Sequence, residues 1–137
     1  MGGRGAASGL GLYRDRNGKF VEYGTEYKTV LQDGNIKFVI MRNPNDSVRV
    51  PEETRTKGRI YVTLGKKDEL KYITRYDDNG RKCLQIDLTH FHMSGNVRLR
   101  PHSHDGYNHA EGRPLTKTER RLLNNILKTW REYNEGK

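Results

Sequence analysis

All five histidines of this 137-residue chain lie in one short segment, "THFHMSGNVRLRPHSHDGYNH", at positions 89–109. Four of them form two His-x-His pairs, His90/His92 and His102/His104, and His109 follows. Imidazole is the commonest metal ligand in proteins and a frequent general acid or base near neutral pH. The segment therefore predicts a site of histidine chemistry.

A metal site is the first interpretation of this segment. Strand alternation places the two histidines of each His-x-His pair on one face, and the polar "SGN" between the pairs favours a turn. Such a turn would fold one pair back on the other and bring three to five imidazoles together. Four protein ligands make a zinc site structural, whereas three ligands and a water leave it open for hydrolysis. We expect a closed, structural zinc site, with Asp87, Asp105 and Cys83 as spare donors or as acceptors that orient a ring.

Metal-free catalysis is the second interpretation, and histidines without any special role are the third. Two histidines beside a basic patch can cleave RNA, one as the base and one as the acid. His102 and His104 would take these roles, with Arg98, Arg100 or Arg113 holding the phosphate. In the third interpretation, the rings are exposed or form ordinary hydrogen bonds with the backbone.

Alternating apolar residues predict the strands that must position these histidines. "NIKFVIM", "RIYVTL", "ELKYITRY" and "KCLQIDL" each show strand character, and the last three follow one another with short turns. Asn79-Gly80 is a hairpin signal between the last two strands. The segment 23–31 is ambiguous between a short helix and a strand, and the polar segment 42–57 reads as a loop.

The C-terminal part of the chain predicts one amphipathic helix. Thr116 and Glu119 have the spacing of a capping box. Six apolar residues form a stripe that we expect to pack on the sheet: Leu122, Leu123, Ile126, Leu127, Trp130 and Tyr133. The predicted fold is therefore α+β, an antiparallel meander of about four to five strands packed by a C-terminal helix.

Length and composition indicate a single small domain. We expect a flexible Gly-rich arm over 1–19, and one domain over 20–137 that contains a metal-binding segment at 87–109. A net charge of +9 favours anionic partners, such as RNA, DNA or an acidic protein face. With one cysteine, no apolar signal segment and no apolar run of membrane-spanning length, we expect a cytoplasmic protein without a membrane partner.

Several stretches together resemble a family of small proteins encoded in phages and prophages of Gram-positive bacteria: "MGGRGAASG", "YGTEYKTVLQDGNIKFV", "TKGRIYVT", "QIDL" and "PHSHDGYNH". The resemblance spans nearly the whole chain. It selects four histidines as the zinc ligands: His92, His102, His104 and His109. His90 is less tied to the family pattern and joins Asp87 and Cys83 as a spare donor.

The resemblance also implies a function. Small phage proteins of this size include type II-A anti-CRISPRs, which bind Cas9 and block its DNA loading or cleavage. We therefore expect a zinc-binding, non-enzymatic inhibitor of Cas9 in the cytoplasm of the bacterial host. Five basic residues are the candidates for partner contact: Arg98, Arg100, Arg120, Arg121 and Lys128.

Two alternatives to the inhibitor stand beside it. "PHSH" after a hairpin resembles the C-terminal end of toxin ribonucleases of the barnase/EndoU/colicin/RelE fold class, which implies a nuclease that uses His102, His104, Arg98 and Arg100. The helix that follows the motif departs from the usual ending of that class. Because related phage proteins often sit near head-morphogenesis genes, the other alternative is an accessory protein of phage head assembly.

Overall fold

A computed structural model describes residues 12–14, 20–22, 26–91, 97–106 and 112–136 of the chain, with the backbone alone for 12–14, 20–22, 89–91 and 97–100. Among these residues it has eight strands and one helix. The strands are β1 (Leu12–Arg14), β2 (Phe20–Glu22), β3 (Tyr27–Asp33), β4 (Ile36–Met41), β5 (Ile60–Leu64), β6 (Leu70–Tyr76), β7 (Lys82–Phe91) and β8 (Val97–Asp105). The helix is α1 (Lys117–Glu135).

Strands β3 to β8 form one six-stranded sheet in sequence order. All neighbouring strands are antiparallel except β4 and β5, which are parallel. The predicted α+β fold, a strand meander with a C-terminal helix, is confirmed. The sheet has more strands than predicted because the ambiguous segment at 23–31 contributes β3. The hairpin at Asn79-Gly80 is also present between β6 and β7, and Gly80 has a φ of 77°.

The parallel pair explains the long polar segment between β4 and β5. A parallel neighbour requires the chain to return to the same end of the sheet before it enters the next strand. Residues 42–59 make that return without a helix, and Val48 of this segment packs against a buried cluster that includes Val39 and Tyr61. Tyr27 donates its hydroxyl to the Arg49 carbonyl at 2.8 Å, and Tyr76 donates to the Pro51 carbonyl. These hydroxyls anchor the crossover to the strands.

Helix α1 covers the opposite face of the sheet. The predicted capping box is present, because Thr116 accepts from the Glu119 amide and Glu119 accepts from the Thr116 amide. Leu123 and Ile126 are buried against Phe38, Ile86 and other strand residues in one apolar cluster. Trp130 stacks on Phe38 with ring centroids 5.3 Å apart. Five of the six residues of the predicted stripe are therefore in the core or packed against it, and the sixth, Tyr133, stacks on Trp130.

The N-terminal strands stand apart from this sheet. β1 and β2 pair with each other in a two-stranded antiparallel sheet. The predicted boundary at residue 19 falls between these two strands, and the flexibility of the arm stays a prediction. No helix among the described residues combines the length and the apolar character that a membrane crossing requires.

Candidate metal centre

The register of the last two strands brings two histidines to one aspartate. His102 on β8 pairs with Asp87 on β7, and His104 pairs with Gln85. Ile86 belongs to the apolar cluster under α1. Because side chains alternate along a strand, Asp87 and both histidines lie on the other face of the sheet.

The donor atoms of these three side chains converge. Asp87 Oδ2 lies 3.1 Å from His104 Nε2 and 3.4 Å from His102 Nε2. The two imidazole rings meet edge to face, with centroids 5.0 Å apart and an angle of 75° between their planes. The ligand atoms of the three residues all lie within 4.8 Å of one another. The three side chains therefore form a cluster that could hold a metal ion.

The two oxygen–nitrogen distances fit a tetrahedral metal site. Zinc bonds to nitrogen and carboxylate oxygen at about 2.0–2.2 Å, so two ligand atoms at the tetrahedral angle lie about 3.3 Å apart. The oxygen–nitrogen separations of 3.1 and 3.4 Å bracket that value. The same distances also suit a carboxylate that accepts hydrogen bonds from two imidazoles. The geometry is compatible with a metal-bound triad and with a metal-free, hydrogen-bonded triad, and a measurement of metal binding distinguishes the two.

Two buried polar residues fix the orientation of the aspartate. Gln85 Nε2 donates to Asp87 Oδ1 at 2.7 Å, and Lys82 Nζ donates to Gln85 Oε1 at 2.8 Å. Burial lowers the pKa of Lys82, while Glu52 and Asp87 oppose that change by charge attraction. Burial, followed by the negative charge of Asp87, raises the pKa of Tyr72, which pairs with Asp87 across the sheet. With Oδ1 engaged by Gln85, Oδ2 is the oxygen turned to the histidines.

Gly112 allows the chain to pass close to both imidazoles. A Cβ atom at this position would lie 3.2 Å from His102 Cδ2 and 3.2 Å from His104 Cε1. Such contacts are tighter than ordinary van der Waals separation, so a larger residue would push the rings. The next residue, Arg113, forms an antiparallel bridge with Ser103 through two 2.8 Å backbone hydrogen bonds. This bridge holds Gly112 beside the site.

An ionic network ties the same strand to the helix. Glu119 accepts from Ser103 Oγ at 2.8 Å, and from Arg113 Nη1 and Nη2 at 3.0 and 2.8 Å. Arg113 also makes two hydrogen bonds to Asp105, at 2.7 and 2.9 Å. The Arg113 hydrogen bonds, opposed by burial, lower the pKa of Glu119 to about 2. Arg113 thus pairs with two carboxylates, which differs from its predicted role of holding a phosphate.

The other predicted donors have different positions. The Cys83 thiol contacts the Arg75 carbonyl, with sulfur and oxygen 3.5 Å apart. His90 pairs with Arg98 in the backbone register, three residues beyond the Asp87–His102 pair along β7, so the two His-x-His pairs are offset. His92 and His109 lie outside the described residues. For Arg98 and Arg100, the structure describes the backbone of β8 alone.

Sequence reasoning placed Asp87 among the spare donors, whereas the structure brings it into the cluster. It missed Gln85, Lys82 and Gly112. Gln85 and Asp87 share a strand face by simple alternation, and that signal was readable in "KCLQIDL". The close approach of Gly112 had no sequence signal, because it depends on the bridge between Arg113 and Ser103.

The predicted partner-binding residues of the helix are on its outer side. Arg120, Arg121 and Lys128 are exposed, away from the apolar cluster.

No protein-family model, no curated protein and no solved structure matches this chain.

Proposed function

We propose that this protein is a zinc-binding domain in which Asp87, His102 and His104 hold the ion and staple β7 to β8. The observation that carries the proposal is the convergence of one carboxylate oxygen and two imidazole nitrogens at separations of 3.1 and 3.4 Å. A staple suits a chain in which 32% of the residues are hydrophobic, because metal binding to the native state adds directly to its stability.

Metal content and thermal stability test the zinc proposal. Metal-free protein should bind one equivalent of zinc, and saturation at 100 times Kd should add about 2.7 kcal/mol to the free energy of unfolding. His102→Asn, His104→Asn and Asp87→Asn should each abolish the stabilisation, whereas Cys83→Ser should keep it. If zinc does not change the melting temperature of the wild-type protein, the proposal is refuted.

The fourth ligand decides between a closed and an open site. His92 and His109 are the candidates, and His109 comes three residues before Gly112 in the sequence. If either one completes a closed site, its replacement by Asn should weaken zinc binding and change the absorption spectrum of the cobalt-substituted protein. If neither replacement has an effect, the fourth position is open to water or substrate.

The biological role that we propose for the stapled domain is inhibition of host Cas9. The support is the resemblance to phage-encoded proteins and the charge of +9, which suits a ribonucleoprotein partner. Guide-loaded Cas9 should lose DNA cleavage when it is incubated with excess zinc-loaded protein. His102→Asn/His104→Asn provides the matched control, because loss of the staple should weaken inhibition. No complex and undiminished cleavage would exclude this role.

A metal-dependent nuclease is the second candidate. The observation in its favour is the partial exposure of the donors, 29% for the His102 side chain and 18% for Asp87, which leaves room for a water on the ion. Zinc-loaded protein should then degrade RNA or DNA, and Asp87→Asn should abolish the activity while Cys83→Ser retains it. Degradation that survives Asp87→Asn would point to a contaminating enzyme.

A further inference from the structure

The outer face of α1 is a stripe of positive charge. Five exposed cations lie within an arc of about 100° on the helix surface, given 100° per residue: Lys117, Arg120, Arg121, Lys128 and Arg131. Asn124 is also in this arc and exposed. The stripe is about 21 Å long from its first to its last cation, at 1.5 Å per residue. The exposed acidic residues of the helix, Glu132 and Glu135, come after its last cation.

Within the described part of the chain, the five cations of this stripe form no ion pair. The only acidic residue between them in sequence, Glu119, is buried and hydrogen-bonded to Arg113 and Ser103. A surface of one sign attracts a ligand of the opposite sign.

We propose that this stripe binds the phosphate backbone of double-stranded DNA without sequence preference. Phosphate contacts need only basic and amide donors, and these fill the arc. A protein partner would need aromatic or apolar anchors at the centre of the interface, and the arc contains none. It also has no aromatic platform on which unpaired bases would stack. Double-stranded RNA binding domains span about 16 base pairs, which is longer than this stripe.

The basic stripe of α1 and the proposed zinc site are on opposite sides of the sheet. Ile86 faces α1, whereas Asp87, its neighbour on β7, faces the histidines. Variants of the stripe should therefore leave zinc binding unchanged, and variants of the zinc ligands should leave the stripe in place. Failure of the zinc proposal does not affect the DNA proposal, and the two are separable by experiment.

Salt dependence of DNA binding tests this proposal. Full-length protein is titrated into a labelled 20-base-pair duplex of mixed sequence, and anisotropy gives Kd between 50 and 200 mM salt. Five phosphate contacts predict a slope of log K on log salt of about −4.5, which is a loss of about 500-fold over that range. Arg121→Gln/Lys128→Gln should reduce the slope to about −2.7.

A second double variant has the same change of net charge outside the stripe. Lys66→Gln/Lys67→Gln alters the exposed turn between β5 and β6 and should keep the wild-type slope. If this control loses as much of the slope as the helix variant, or if the duplex does not bind at 50 mM salt, the proposal is wrong. Tighter binding of polyglutamate, single-stranded DNA or duplex RNA would equally overturn it. Circular dichroism confirms that both variants are folded.

Discussion

Replacing Glu119 by Gln tests the ionic network that joins β8 to α1. Glu119 is 5% exposed, and its carboxylate accepts from the Arg113 side chain, the Ser103 hydroxyl and the Thr116 amide. The glutamine amide is neutral, and its NH₂ group would face the Arg113 donors. E119Q therefore removes the charge and misplaces a donor with almost no change of shape.

The magnitude follows from the pKa of Glu119, which the Arg113 hydrogen bonds and the other contacts lower from 4.5 to about 2. A lowering of this size is worth about 3 kcal/mol at pH 7, at 1.36 kcal/mol per unit. Because the Arg113 side chain is 31% exposed, solvent screening reduces the expected loss to about 2 kcal/mol. For a chain of this length, the melting temperature should fall by about 8 °C.

The pH dependence has a definite sign. A lowered folded-state pKa stabilises the protein above the unfolded value near 4.5, and the stabilisation is lost as pH falls towards 2. The gap in unfolding free energy between wild type and E119Q should thus shrink to roughly two-fifths, about 0.8 kcal/mol, at pH 3. Urea unfolding of the metal-free proteins at pH 7 and pH 3 measures it.

The matched control is Glu135→Gln, the same chemical change at an exposed position of the same helix. It should alter stability by less than about 0.5 kcal/mol. A wild-type–E119Q gap that is equal at pH 7 and pH 3 would refute the charge-based reasoning. So would a gap at pH 7 no larger than that of the control.

Three further predictions concern the site, the crossover and the core. Gly112→Ala would put a Cβ 3.2 Å from both imidazoles, so the affinity for zinc should fall about tenfold or more. Competition with a chromophoric chelator measures this affinity, and an unchanged value would show that the rings move freely. Tyr76→Phe leaves the Pro51 carbonyl without its hydroxyl donor, so the free energy of unfolding, measured in urea, should fall by about 1–3 kcal/mol. The exposed control Lys57→Gln should change it by less than about 0.5 kcal/mol. Ile126→Ala empties a fully buried position under the sheet and should cost about 2–5 kcal/mol in the same assay, whereas Asn125→Ala on the outer side should cost almost nothing.

The sequence was most informative where local chemistry decides structure. Thr116 and Glu119 predicted the start of α1, and Asn79-Gly80 predicted the turn between β6 and β7. Both signals depend on residues only a few positions apart. The parallel pairing of β4 and β5 was not predicted. Its one signal was the length of the segment 42–59, since a parallel neighbour requires a connection of a dozen or more residues.

The candidate site depended on register, which a single sequence does not define. Periodicity placed His102 and His104 on one face, as the structure has them, but it did not reveal that Asp87 stands opposite His102. A bulge between the Asp87 and Thr89 pairs shifts the register of the two strands, and this shift sets His90 against Arg98. A shift of one residue changes every cross-strand partner beyond it.

The opposite positions of the basic stripe and the candidate metal centre bear on the choice between a binder and a nuclease. A duplex that lies along α1 is separated from Asp87 by the helix, which is about 10 Å across, and by the sheet. If zinc binds at Asp87, a water on the ion could not reach a phosphodiester held on that stripe. If the protein cleaves DNA, the cleavage rate should therefore depend on Asp87. At saturating substrate, Arg121→Gln/Lys128→Gln should leave this rate unchanged. If it only binds DNA, binding should depend on the stripe and survive Asp87→Asn, and that pattern would favour a binding protein in which zinc has a structural role.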